Sequence, residues 1–247
     1  MDKYQALEYL RSIIGDTSHL DSVVVKYTAQ NDKIRELGRM LKNRDDVQYI
    51  RQVVAFDVPA GWTCPAANLC LARSDRKTGK ITKGKNAEFL CFAAKLEAVF
   101  SVVRRFRWAN FNAISKLKTS AEVAYVLINN MADDIKVVRI HTSGDFYNNV
   151  YFRAWMLVAE LLTDVNFFGY TKVLAYARHN KPTNMNFVYS VGGTYDSEIC
   201  ESDVTSTVVR NREHANELGI PVACNTPTSP DDYDYIMRRE SFALIVH

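Results

Sequence analysis

VVRIHTSGDF, residues 137–146, begins as a short apolar run and ends in small and polar residues. VVRIHT (137–142) reads as a buried strand, and the segment after it reads as a loop carrying chemistry. The same form recurs on both sides. VVAFDV (53–58) stops at Pro59-Ala60-Gly61, NFFGYT (166–171) at Lys172, and NFVYSV (186–191) at Gly192-Gly193. STVV (206–209), PVACN (221–225) and SFALIVH (241–247) are further runs of strand type. Stretches with helical spacing lie between them. FAAKLEAVFSVVRRFRWANFNAI reads as one long helix, and SAEVAYVLINNMA as another with Ser120 as its N-cap. YFRAWMLVAELL (151–162), REHANELG closed by Gly219, and DDYDYIMRR complete the set. RSDRKTGKITKGK is a polar loop or hairpin.

Strands that are continuous apolar runs, alternating with helices, predict a parallel sheet covered on its faces. The expected fold is α/β: a partial or complete parallel (β/α) barrel of about six strands. An open doubly wound sheet is the alternative. YQALEYLRSII and IRELGRMLKN are helical in spacing, so residues 1–50 form a helical N-terminal extension to a barrel-like domain over 51–247.

The chain has 247 residues, 47% of them hydrophobic and 24% charged, an ordinary globular mix. No apolar run approaches the roughly 18 residues that span a bilayer. The start, MDKYQALEYLRSIIG, lacks the layout of a signal peptide. These features predict a cytoplasmic protein without a membrane partner, in a compartment where disulfides are rare. The formal net charge is only +3. One basic cluster, Arg104, Arg105 and Arg107, is either a solvated helix face or a surface for nucleic acid or phosphate.

Ligands of parallel α/β folds sit beyond the carboxyl ends of strands. There the first strand is followed by Cys64, Cys70 and Cys91, three of the five cysteines, spaced C-x5-C-x20-C. Thiolates select zinc, copper(I) or iron–sulfur clusters. Three ligands would leave one coordination position open, and a metal-free trio of core thiols is the remaining reading. Cys200 and Cys224 are expected as ordinary thiols. The second strand leads to His141, Ser143, Gly144 and Asp145; the third brings Tyr170 and Lys172; the fourth brings Gly192 and Gly193. His141 is an acid/base or ligand candidate, and Asp145 is either functional or part of a helix-capping turn. No GxxxxGK[ST], GxSxG or HExxH occurs, which argues against nucleotide triphosphate hydrolysis, nucleophile-elbow hydrolases and zincins.

VVAFDVPAGWTCPAANLC, FLCFAAKLEAVF, RWANF, VVRIHTSGDFYNNVYFRAWMLVAE, FFGYTK and SFALIVH together resemble a family of phage-encoded proteins named after gene product eighty-eight of a mycobacterial phage. The likeness covers about residues 51–247 and implies no particular reaction. A second resemblance is to the radical S-adenosylmethionine superfamily. Its members hold a [4Fe–4S] cluster on three cysteines after the first barrel strand, with an aromatic residue near the third and a Gly-Gly-Glu-like turn after the second strand. Phe89 and Phe92 flank Cys91 here, and Ser143-Gly144-Asp145 stands in the place of that turn. The spacing departs from the usual C-x3-C-x2-C; atypical members such as the carbon–phosphorus lyase have a long gap before the last cysteine. The resemblance implies a cluster on Cys64, Cys70 and Cys91, with S-adenosylmethionine bound by Ser143, Gly144, Asp145, Gly192 and Gly193. It also implies Asp145 as acceptor for the cofactor's ammonium, and Tyr170 and Lys172 facing an unknown substrate. A zinc-stabilised, non-catalytic phage protein acting on host machinery or nucleic acid, and a metal-free hydrolase or transferase, are the competing expectations.

Overall fold

Val53–Phe56 and Val137–Ile140 are buried at every position, the mark of strands covered on both faces. The structure, a computed structural model, describes residues 1–223 and 231–245. In chain order the helices are α1 (Lys3–Ile14), α2 (Ser18–Asp21), α3 (Asp32–Asn43), α4 (Phe92–Val99), α5 (Ser101–Ile114), α6 (Ser120–Asn129), α7 (Asn149–Leu161), α8 (Leu174–Arg178), α9 (Arg212–Glu217) and α10 (Asp232–Arg238). The strands are β1 (Val53–Phe56), β2 (Ala72–Ser74), β3 (Ile81–Lys83), β4 (Val137–Ile140), β5 (Asn166–Thr171), β6 (Met185–Ser190), β7 (Thr205–Val209) and β8 (Phe242–Ile245).

Six strands form one sheet in the order β1-β4-β5-β6-β7-β8, every neighbouring pair parallel. Spatial order thus follows chain order, as in a (β/α) barrel and unlike a doubly wound sheet, whose order reverses. The barrel is partial. Among the described residues β1 and β8 do not pair: the free edge of β1 takes an antiparallel bridge from Thr28, and that of β8 a parallel bridge from Val222. The polar insert is the antiparallel hairpin β2–β3. Of PVACN, residues 221–223 make the β8 edge contact, while Cys224 and Asn225 lie outside the described residues, as do Val246 and His247 of SFALIVH.

Side chains alternate across the sheet. Val54, Phe56, Val138, Ile140, Phe167 and Phe187 join a core with α1, α6 and α7. Val53, Ala55, Val137, Phe168, Val188 and Phe242 join another with Ile34, Leu37 and Leu41 of α3 and with α10. The N-terminal helices are therefore packed onto both faces of the sheet; Ala6, Leu7 and Leu10 of α1 sit inside the first core.

Two local expectations change. The long helix is broken at Phe100, which has an extended backbone (φ −107°, ψ 99°). A continuous helix would give the Glu97 carbonyl to the Ser101 N–H; the Arg104 guanidinium takes it instead. The N-cap of α6 is Thr119, in a capping box with Glu122. Ser120 Oγ donates to the Val150 carbonyl at 3.0 Å.

Candidate functional site at the carboxyl rim of the sheet

Asp57 follows β1 and organises the loop after β4. It accepts from the Thr142 N–H (2.7 Å), the Thr142 hydroxyl (2.7 Å) and the Ser143 N–H (3.1 Å). Ser143 Oγ donates to the Val58 carbonyl (3.0 Å), and the Val58 N–H donates back to the Ser143 carbonyl (3.2 Å). Gly144 has φ +88°, and a Cβ there would stand 2.4 Å from Val58 Cγ2. The turn is pressed flat against the segment leading to Cys64.

Asp145 continues the chain of contacts. Its Oδ1 accepts from the Phe146 N–H (2.7 Å) and its Oδ2 from the Lys172 N–H (2.8 Å). Burial pushes its carboxyl up to about 6, against the pull of these amides. Lys172 Nζ donates to the Ser190 carbonyl (2.8 Å), Ser190 Oγ (3.1 Å) and the Val191 carbonyl (2.8 Å). The ends of β1, β4, β5 and β6 are thus laced together. The lacing returns to the cysteine loop, because the Gly192 carbonyl accepts from the Asn68 (3.3 Å) and Leu69 (3.0 Å) N–H groups, and Ala67 bridges Gly193.

Cys64, Cys70 and Cys91 are free, partly buried thiols. The Gly61 N–H donates to Cys64 Sγ at 3.3 Å. Burial raises the Cys64 thiol well above its usual range, and Asp145, Cys91 and Cys70 push it further. Burial also raises Cys70, opposed by the Lys172 ammonium. Among the described residues, no three or more His, Cys, Asp or Glu side chains are drawn together as a group that could hold a metal ion. Cys200 lies elsewhere, exposed, with Ser202 Oγ at 3.2 Å and Asp203 Oδ2 at 3.3 Å.

Other expected site residues are placed differently. His141 is turned into the aromatic core: Nε2 lies 2.9 Å from the Tyr151 hydroxyl and the ring stacks edge-on against Phe146. Burial holds its pKa down to about 3, so it is neutral. The amides of Gly192 and Gly193 are taken by the Asp196 carboxylate (2.8 and 3.0 Å). Tyr170 donates to Asp232 (2.6 Å), with Arg139 over its ring and paired to the same carboxylate (3.1 Å). Burial raises the neighbouring Asp231 to about 7; in Asp232 burial is outweighed by Arg139 and Tyr170, and its carboxyl falls below the usual range. Lys33 reaches from α3 over the ring of Phe92, beside Cys91.

The arginine cluster is mostly internal, which corrects the expected nucleic-acid surface. Arg104 gives its guanidinium to the carbonyls of Arg76 and Glu97. Arg107 pairs with Glu97 (3.0 Å) and Asp57 (3.6 Å), all three buried. Arg105 alone of the three is exposed. Sequence reading missed Asp57, Glu97, Arg139 and the Asp231-Asp232 pair. The available signals were a carboxylate closing the VVAF run and an arginine inside VVRI. Glu97 is fully buried; its Oε1 takes the Ala60 N–H (2.9 Å) and Arg107, with Ser143 Oγ at 3.2 Å, and burial raises its carboxyl.

A six-stranded parallel sheet wound in chain order, with helices on both faces, defines an α/β protein of the partial-barrel class. The chain belongs to the Gene product 88 family, whose description matches residues 25–247. The Gene 88 protein of Mycobacterium phage D29 is 28% identical over 142 residues, 53% of this chain and 52% of that protein. The match spans about half the length of this relative. No solved structure matches the chain. Among the described residues, no helix is long and apolar enough to cross a membrane.

Proposed function

We propose that this phage-family protein is an iron–sulfur enzyme of the radical S-adenosylmethionine type, with Cys64, Cys70 and Cys91 as ligands of a [4Fe–4S] cluster. The observation that supports the reading is the docking of the Cys64–Cys70 loop on the backbone at 192–194, at the carboxyl rim where Asp145 takes the Lys172 amide, on a sheet wound in chain order. The donor set fits. Three cysteine sulfurs suit a cluster and leave a position for a non-protein ligand. Among the described residues the three sulfurs are not drawn together as a group that could hold a metal ion, and this bears equally on a cluster and on the alternative, one zinc ion. When bound, the cluster supplies the single electron that cleaves a carbon–sulfur bond of S-adenosylmethionine.

The chain's own residues then hold and orient. The Lys172 ammonium favours the Cys70 thiolate. Asp145, anchored by two amides, keeps lone pairs for a cationic group such as the cofactor's ammonium. Gly192 and Gly193 act through the cysteine loop, since their amides are already engaged. Tyr170, Arg139, Asp232 and Lys33 form a polar floor on the side of the sheet covered by α3 and α10, where a substrate would meet charge.

Anaerobic reconstitution with iron and sulfide tests the proposal. The expected product is brown, with broad absorbance at about 400 nm that is lost when any one of Cys64, Cys70 or Cys91 becomes Ala. Stoichiometric zinc without iron, or iron retained in the triple variant, overturns it. Asp145→Ala is expected to weaken S-adenosylmethionine binding at least tenfold in calorimetry while sparing the visible spectrum. Unchanged affinity removes Asp145 from that role.

A further inference from the structure

The ladder between β6 and β7 is short. β6 begins at Met185, yet pairing with β7 runs only from Tyr189 opposite Thr205 to Ser190 opposite Ser206. Met185–Val188 pair with β5, and among the described residues they have no partner in β7. A cavity of about 420 Å³ occupies the gap, with Arg178, Lys181, Asn186, Phe187, Asp203 and Arg239 in its wall. It lies toward the amino ends of the strands, the end opposite the thiols. That end of a parallel barrel ordinarily serves stability; an open, charged cavity there needs another account.

Three cations and one carboxylate face this space. Arg178 is committed to Asp203 by two contacts, at 2.8 and 2.7 Å. Lys181 and Arg239 have neutral partners only among the described residues. Lys181 Nζ donates to the carbonyls of Ala177 (2.6 Å) and His179 (2.8 Å), and Arg239 Nε to Asn186 Oδ1 (3.0 Å). Burial, and then the charge of Arg239, push the Lys181 ammonium down to about 8. Arg239 also holds φ +58°, a conformation that favours Gly or Asn at a helix end. A helix carboxyl end welcomes one cation. It does not explain a second one, Lys181 from the segment after α8, in the wall of the same cavity.

We propose that this cavity is a second ligand site, which binds the phosphate or pyrophosphate group of a small molecule between Lys181 and Arg239. An oxyanion there would bridge a half-buried lysine and an exposed arginine in the wall of one cavity, and charge-assisted bonds to Lys and Arg are the strong ones. The site is independent of any metal on the cysteines.

Titration calorimetry of the full chain with inorganic pyrophosphate tests it. Saturable binding at one site per chain is expected, weakened about tenfold or more in Lys181→Met and in Arg239→Gly. Arg239→Gly suits the positive φ, so its loss of binding cannot be charged to misfolding; thermal melts of both variants check this. The triple Cys→Ala variant is expected to bind pyrophosphate normally, which separates this site from the iron–sulfur reading. No saturable binding up to about 10 mM, or binding that both variants leave unchanged, overturns the proposal.

Discussion

A methyl group on Gly144 would lie 2.6 Å from Thr63 Oγ1 as well as against Val58, and the backbone there is left-handed. Gly144→Ala is therefore expected to cost about 2–4 kcal/mol, strain and overpacking together, read as a lower urea midpoint at unchanged slope. His141 gives a different test. Its folded pKa of about 3 lies below the value of about 6.5 in the unfolded chain, so the unfolded chain takes up the proton first. Its contribution to stability is complete above pH 6.5 and drains away as pH falls toward 3, at no more than about 1.4 kcal/mol per pH unit. Asp145 and Asp231, raised to about 6 and about 7, slope the other way, so the comparison must be with a variant. His141→Phe should lose less stability than the parent between pH 7 and pH 4.5; parallel curves would show that the imidazole is not the titrating group. At this scale the sequence singled out the loops at the strand ends but not what their side chains touch. HTSGDF and Gly192-Gly193 stood out because polar and small residues follow apolar runs. That His141 would turn inward, and that Asp196 would occupy the glycine amides, depends on contacts no local pattern encodes.

The elements themselves were largely legible. β5 matches the NFFGYT run, since a strand buried on both faces must be apolar throughout. What escaped notice was tertiary in origin. Nothing in KLEAVFSVV breaks a helix by propensity; the break arises where Arg104, itself buried, captures a carbonyl of the preceding turn. The same region holds the buried Arg107 between Glu97 of α4 and Asp57 beyond β1. Removing only the cation strands two carboxylates in a dry interior. Arg107→Met is expected to cost about 3–5 kcal/mol in urea denaturation, with much of it regained in Arg107→Met/Glu97→Met. A double variant no better than the single one would mean that the arginine acts through packing alone.

For the molecule as a whole, the winding order and the two cores make one cooperative body of the described residues. The family match begins at residue 25, yet α1, wholly before it, buries Ala6, Leu7 and Leu10 against α6. Deleting residues 1–15 should bare an apolar face and cost several kcal/mol, at roughly 2–3 kcal/mol for each large side chain uncovered. A melting temperature lowered by several degrees, with increased binding of a hydrophobic dye, is the expected readout. An unchanged melt would make those helices an accessory. The α/β class and the strand count could be read from alternation alone. The open barrel edge and the splay beside β6 could not: Thr28 lies in a segment without strand character, and Val222, in a run of strand type, makes only an isolated bridge to β8.

The stretch between Cys64 and Cys70 is fastened at both banks: covalently to the first strand, and through Ala66–Leu69 to the backbone at residues 192–194 beyond the fourth. Its shape is moulded by what it lies on. The count of residues from one sulfur to the next is then a poor yardstick, since a docked loop can deliver its side chains to a fixed place with a longer or shorter tether. An insertion distant from the docking strip would leave Cys64 and Cys70 where they are, whereas a side chain at 193, whose Cβ would stand 3.2 Å from the Ala66 carbonyl, would press on the stretch between them.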